Sequence, residues 1–135
     1  MVKGSCLCGE VQFEVELIPE KVYSCHCSIC QRSHGAAFVT LALADGNSLK
    51  FIKGEENLTD YFSGGGFRAF CSKCGSRLMN YAEDKGQYLS VAVSCIDNQD
   101  EIRPVANLCI ETKPLWYQLS GDIPSYEGIP KEILD

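Results

Sequence analysis

With 135 residues, 45% of them apolar and 22% charged, the chain has the make-up of an ordinary soluble globular protein, expected as one domain over residues 1–135. A formal net charge of −6 argues against a general binder of nucleic acid or anionic membrane, and no stretch nears the ~18 apolar residues of a membrane span. Nine cysteines is an odd number, and the opening Met1-Val2-Lys3-Gly4-Ser5-Cys6 lacks a signal peptide's apolar run, so reduced thiols in a cytoplasmic setting are expected over a secreted disulfide framework.

Along the chain, Ser5-Cys6-Leu7-Cys8-Gly9 reads as a C-x-C-G turn. Val11, Phe13 and Val15 then alternate with Gln12, Glu14 and Glu16, the period of a half-buried strand, which Pro19 is expected to end. Residues 21–24 read as a short strand delivering Cys25. The next six residues, Cys25-His26-Cys27-Ser28-Ile29-Cys30, hold three thiols at C-x-C-x2-C spacing, so three sulfurs can turn toward one point. Zinc, about 2.3 Å from each sulfur, is the usual occupant, and three protein ligands leave one tetrahedral corner for water or substrate. The alternatives are a closed structural site with a fourth ligand from elsewhere, or thiols that bind nothing.

Residues 31–34 form a helical turn halted by Gly35. Residues 36–44 are a nearly continuous apolar run, read as a buried strand that turns at Asp45-Gly46-Asn47. Residues 49–52 and 58–62 are further strands, separated by residues 54–57. Ser63-Gly64-Gly65-Gly66 is a hairpin turn, since it lacks the Gly-Lys-Ser/Thr ending of a phosphate-binding loop. Phe67-Arg68-Ala69-Phe70 leads into Cys71-Ser72-Lys73-Cys74-Gly75, a C-x2-C-G knuckle whose amides can donate to the first sulfur. Residues 77–81, 88–93, 105–111 and 115–119 are the remaining strands, with Pro114 between the last two and an irregular tail over 123–130. No segment suits a substantial helix. The fold class is mainly β.

Two pairs and a triplet give seven ligands, which suggests one site of four and one of three. Cys6, Cys8, Cys71 and Cys74 would make a closed cage, structural because no corner remains for chemistry. Pairing Cys6 and Cys8 with two of the triplet is also allowed by the spacing. Cys95 and Cys109 stand alone in apolar, strand-like surroundings and read as buried core thiols, though either could supply the triplet's fourth corner. His26, between two proposed ligands, is expected to point away from the sulfurs. His34 either lines the same cavity or caps the helical turn. No Ser-His-Asp or Cys-His nucleophile motif occurs.

Gly4-Ser5-Cys6-Leu7-Cys8-Gly9, then residues 25–33 with Gly35-Ala36-Ala37-Phe38, then Arg68-Ala69-Phe70-Cys71-Ser72-Lys73-Cys74-Gly75-Ser76 resemble the glutathione-dependent formaldehyde-activating enzyme and centromere protein V family. Lys113-Pro114-Leu115-Trp116 resembles that family's closing Trp motif, and Trp116 also suits a core position. The resemblance runs from near Gly4 to about Leu119. It implies a mainly β, Mss4-like fold with sheets held by zinc knuckles and little helix. It also implies two zinc ions per chain: Cys6, Cys8, Cys71 and Cys74 around a structural ion, and Cys25, Cys27 and Cys30 around a second with an open corner. The family's activity joins formaldehyde to glutathione as S-hydroxymethylglutathione, a carbon–sulfur lyase reaction. One departure is Asn107, aligned where many relatives carry His, which leaves any role of that imidazole in question here.

The implied chemistry suits a three-thiolate ion. Such an ion holds a substrate thiol as thiolate or polarises the aldehyde oxygen, and three thiolates soften its charge, which favours thiol delivery. Glutathione's carboxylates want cationic partners, with Arg32 the first choice and Arg68 and Arg77 weaker ones. The competing reading is a non-catalytic zinc module that binds a protein or small-thiol partner, since a fold does not transfer an activity.

Overall fold

The computed structural model describes residues 1–134, and it is mainly β, as expected. The chain divides into two compact units, one built from Met1–Ile18 and Ala42–Glu101, the other from Pro19–Leu41 and the segment from Ile102 onward. Among the described residues, no helix is long and apolar enough to cross a membrane.

The first unit is a sheet. Its strands are β1 (Val2–Ser5), the first half of β2 (Gln12–Cys25), most of β3 (Val39–Lys53), β4 (Leu58–Phe62), β5 (Phe67–Cys71), β6 (Arg77–Tyr81) and β7 (Leu89–Ala92), in the order β1-β2-β3-β7-β6-β5-β4. β4 through β7 form antiparallel neighbours, β4 and β5 joined by the glycine turn, where Ser63 N donates to Gly66 O at 2.8 Å. Val11, Phe13 and Val15 are fully buried while Glu16 is exposed, so the alternation in the sequence does mark one core face. They share the core with Leu78, Leu89, Val91 and Ile96, each such side chain stabilising by roughly 1.5–3 kcal/mol.

Two expected breaks are absent. Pro19 does not end β2, which runs through it to Cys25, with Glu20 at φ 65 marking a local distortion. Pro lacks a ladder donor, and the strand tolerates it in this exposed stretch, where residues 19 and 20 face solvent. Nor does β3 turn at Asp45-Gly46-Asn47; one strand covers residues that read as two. Gly46 serves a close approach instead, because a Cβ there would lie 1.7 Å from the Lys85 carbonyl oxygen. That contact joins segments distant in sequence, so a local reading mistakes it for a turn.

The second unit contains the end of β2, the start of β3, α1 (Ser28–His34), β8 (Ala106–Leu108) and the short α2 (Lys131–Leu134). β8 pairs with β2 in parallel: Tyr23 with Ala106, Ser24 with Asn107, Cys25 with Leu108. It is shorter than expected, for the backbone turns left-handed at Cys109 and continues as a 3-10 turn over Ile110–Thr112. Residues 115–119 form no strand. Tyr117 N donates to Pro114 O at 3.2 Å and the Lys113 ammonium donates to the Pro114 and Tyr117 carbonyls, so the segment folds on itself. Leu115 (97% exposed) and Trp116 (76%) therefore lie outside the core.

Candidate metal centres

In the first unit, Cys6 and Cys8 sit in the turn after β1, Cys71 ends β5, and Cys74 lies in the turn that follows. The four sulfurs all lie within 4.8 Å of one another, with Cys6–Cys8 at 3.6 Å and Cys8–Cys71 at 3.8 Å. A tetrahedral zinc with bonds of about 2.3 Å separates its sulfurs by about 3.8 Å, so the spacing and the soft donors suit that ion. Backbone amides already point at the thiols: Val11 N donates to Cys6 Sγ at 3.3 Å and Lys73 N to Cys71 Sγ at 3.4 Å. Gly75, at φ 80, lets the knuckle double back so that its amide meets the Cys71 carbonyl at 2.8 Å. Ser76 links the two turns, since its Oγ contacts Cys74 Sγ at 3.3 Å and accepts from Leu7 N at 2.8 Å. That hydroxyl is the first cause of a Cys74 thiol held down at about 5.

The second unit holds the triplet. β2 ends on Cys25, and Cys27 is the N-cap of α1, its Sγ accepting from Cys30 N at 3.3 Å. Gly35 closes the helix, and Arg32 and His34 occupy its last turn, where cations suit the dipole. The Cys25, Cys27 and Cys30 sulfurs lie within 4.8 Å of one another, and no other His, Cys, Asp or Glu of the described residues joins that set. A strand end and a helix start thus bring three thiols to one point.

His26 turns away from the sulfurs. It is fully buried, stacked on Phe38 with centroids 5.0 Å apart and tilted against Tyr117 at 5.8 Å. Nδ1 lies 3.3 Å from Leu108 O, and a carbonyl only accepts, so Nδ1 carries the hydrogen. Nε2 is then an acceptor and meets no partner among the described residues. Burial lowers the pKa of the ring. Its backbone carbonyl is clamped as well, accepting from Gln31 Nε2 at 2.8 Å and Thr112 Oγ1 at 3.1 Å, while Gln31 Nε2 also reaches Thr112 O at 2.8 Å. Gln31→Ala is expected to loosen this loop and weaken metal binding at the triplet by about 10–100-fold, checked by competition with a chromogenic chelator.

Without a cation the three thiols share charge unequally. The Cys25 and Cys30 thiols donate to the Cys27 sulfur and hold it down at about 2. Contact with Cys27 pushes Cys25 up to about 12, and contacts with Cys25 and Cys27 push Cys30 upward. At neutral pH Cys25 and Cys30 are therefore protonated, and an ion must displace both protons to be held by three thiolates. About two protons should be released per ion bound at this site, so a fall of one pH unit near neutrality weakens binding by about 100-fold. Calorimetry in buffers of different ionisation enthalpy counts those protons.

The remaining candidates divide. Arg32 is exposed on α1. Arg68 and Arg77 lie on β5 and β6 of the first unit, with the Arg77 guanidinium 4.4 Å above the Phe70 ring. His34 is the partly buried last residue of α1. Cys95 sits in a 3-10 turn, not a strand, and donates to Arg77 O at 3.5 Å; burial pushes its thiol up to about 11. Asn107 is buried and donates from Nδ2 to Ser125 Oγ at 3.2 Å. Sequence spacing by itself points to none of Ser76, Gln31 and Thr112 as site residues. The first two adjoin cysteine motifs, whereas Thr112 carries no local signal.

A family model described as glutathione-dependent formaldehyde-activating enzyme matches residues 1–112. The chain belongs to the glutathione-dependent formaldehyde-activating enzyme family. The match takes in both cysteine sets and stops before Lys113-Pro114-Leu115-Trp116, leaving the closing Trp motif outside the matched part of the family. A Halomonas elongata protein, provisionally named as a glutathione-dependent formaldehyde-activating enzyme, is 30% identical over 130 residues, which span 90% of this chain and 82% of the relative. The crystal structure of a Rhodobacter sphaeroides protein is similar at 27% identity and a TM-score of 0.64, covering 92% of this chain and 99% of that one.

Proposed function

We propose that this protein is a zinc-dependent carbon–sulfur lyase that joins formaldehyde to glutathione as S-hydroxymethylglutathione, or performs a closely related addition of a thiol to an aldehyde. In this reading Cys6, Cys8, Cys71 and Cys74 hold a structural zinc, and Cys25, Cys27 and Cys30 hold a second. When bound, the second ion would keep a substrate thiol ionised at neutral pH, although a free thiol titrates near ~8.5. The observation that carries the reading is the difference in ligand number: four sulfurs converge in one unit, three in the other. Four thiolates complete a tetrahedron, whereas three leave a position for an incoming molecule.

The chain's own residues supply the rest. The clamp on His26 fixes the triplet loop, and Phe38 and Tyr117, packed against the ring, keep that loop's support apolar. Arg32 is exposed two residues after Cys30, and in this reading its guanidinium would meet a carboxylate of glutathione. In the addition the thiol sulfur bonds the aldehyde carbon and the thiol proton ends on the aldehyde oxygen, so nothing is oxidised or reduced. Ligand thiols need a reducing compartment, which fits a cytoplasmic setting. The test is zinc content followed by adduct formation from glutathione and formaldehyde, comparing native protein with Cys27→Ser. Near two zinc per chain and a faster native reaction support the reading. Equal rates in the two proteins would remove the catalytic role.

A further inference from the structure

β4 is an edge of the sheet. Among the described residues it pairs with β5 alone, in the register Leu58 with Cys71, Asp60 with Ala69 and Phe62 with Phe67. The bonds just beyond the two ends of that ladder fix which way each peptide group points. Ser72 N donates to Asn57 O at 2.8 Å and Ser63 N to Gly66 O at 2.8 Å. Hydrogen-bonded pairs therefore recur at every second residue from Asn57, and Thr59 and Tyr61 turn their N–H and C=O toward β5. Leu58, Asp60 and Phe62 turn theirs outward. The Leu58 amide is taken by Glu55 O, which closes the preceding 3-10 turn. Asp60 and Phe62 each present a donor and an acceptor away from the sheet.

Such an edge is a template for another strand, and proteins ordinarily blunt it with Pro, Lys or a bulge. β4 has none of these: its sequence is Leu58-Thr59-Asp60-Tyr61-Phe62, and the register irregularity nearby lies between β5 and β6. Its large side chains stand open instead. Tyr61 and Phe62 are each 63% exposed, and as neighbours in a strand they face opposite sides of the sheet. Phe62 begins an aromatic row with Phe67 and Tyr81, successive ring centroids lying 5.5 and 6.3 Å apart. The Tyr81 hydroxyl donates to the Asp60 carboxylate on that same side.

We propose that β4 pairs antiparallel with β4 of a second copy of this chain, about a two-fold axis through Tyr61, so that the two sheets continue into one another. The free groups select this register. Asp60 N–H and C=O meet the C=O and N–H of Phe62 in the second copy, and symmetry supplies the reciprocal pair, so every outward group of both residues is used. A pairing centred on Asp60 would need the Leu58 amide, which is already bonded, and would set two carboxylates directly opposite. One centred on Phe62 would carry Asp60 onto Gly64, where the backbone turns left-handed and the strand has ended. Centred on Tyr61, the register sets the two Tyr61 rings opposite each other at a non-hydrogen-bonded position, where side chains come closest. It also sets the two Phe62 rings on a diagonal within aromatic reach, joining the aromatic rows of the two copies. Leu58 lies opposite Gly64, where a Cβ would meet nothing within 4 Å.

The strand is short, so the contact belongs to the small, reversible class of interfaces, and mass as a function of concentration tests it. Sedimentation equilibrium on the full chain, from micromolar toward millimolar, should show the average mass rising to twice that of one copy. Tyr61→Lys and Tyr61→Glu each lose the aromatic pair and set like charges opposite, and each should weaken association by about 10-fold or more. Mixed in equal amounts, the two variants should associate again, because residue 61 meets its own counterpart about this axis. In native protein the Asp60 and Phe62 amides should exchange at least about 10-fold more slowly once the dimer dominates, with Thr59 and Tyr61 unchanged. A native chain that stays monomeric throughout overturns the proposal. So does a dimer that both variants leave intact, or a Lys and Glu pair that does not associate when mixed. Tyr61 is exposed, so both variants are expected to melt as native protein does. Should either fail to fold, amide exchange on the native chain decides: rates at Asp60 and Phe62 that ignore concentration would rule the pairing out.

Discussion

Cys71→Ala is expected to leave the chain unfolded at room temperature, with zinc absent and no cooperative thermal transition. Cys71 is fully buried at the end of β5, pairs with Leu58 of β4, and accepts the Lys73 amide on its sulfur and the Gly75 amide on its carbonyl. Its cluster joins a turn near the start of the chain to one that follows 63 residues after Cys8, a long loop to close in the unfolded state. Structural zinc contributes an apparent ~10–16 kcal/mol, against a net domain stability of about 5–15 kcal/mol. Taking away one of four thiolates therefore removes a term as large as the whole margin. Circular dichroism with metal analysis decides it, and prolonged chelation of native protein should give the same outcome. A Cys71→Ala protein that still melts cooperatively within a few degrees of native would show that the cage does not hold this fold.

Cys27→Ser is expected to do the opposite, sparing the fold and removing the proposed activity. The Cys27 sulfur has two roles: it caps α1 by accepting the Cys30 amide, and it belongs to the triplet. Serine is a favoured N-cap, so the helix start survives and the protein should still melt cooperatively, at a temperature lowered only by loss of the ion at the triplet. A hydroxyl is a poor substitute for a thiolate on zinc. Changes to groups that merely support ligands cost about 10–100-fold, so loss of a ligand should lower adduct formation by more than about 100-fold. On the proposed reading, zinc content should fall from two per chain toward one. Cys27→Ala would lose the cap too, at a further cost of about 1 kcal/mol. Retention of both ions and full activity by the serine variant would place the chemistry elsewhere.

The sequence by itself determined whatever depends on neighbours in the chain. Each knuckle is local, because its cysteines are separated by one or two residues and the turn that converges them needs only an adjacent glycine or helix start. The alternation of Val11, Phe13 and Val15 and the glycine turn after Phe62 are local in the same sense, and both appear in the structure. Which pair of cysteines joins which was open to spacing alone; the tertiary structure brings Cys6 and Cys8 to Cys71 and Cys74. Pro19 and Asp45-Gly46-Asn47 carry turn preferences that long strands override, the latter because the Lys85 backbone approaches too closely for any side chain at Gly46. Leu115 and Trp116 look like core by composition and are exposed, since the segment bonds to itself through Lys113. Thr112 reaches His26 from 86 residues away, and Leu108 stands beside Cys25 only because a parallel strand pairing brings it there. Local spacing records none of these contacts, because each is a meeting of segments that only the folded chain brings together.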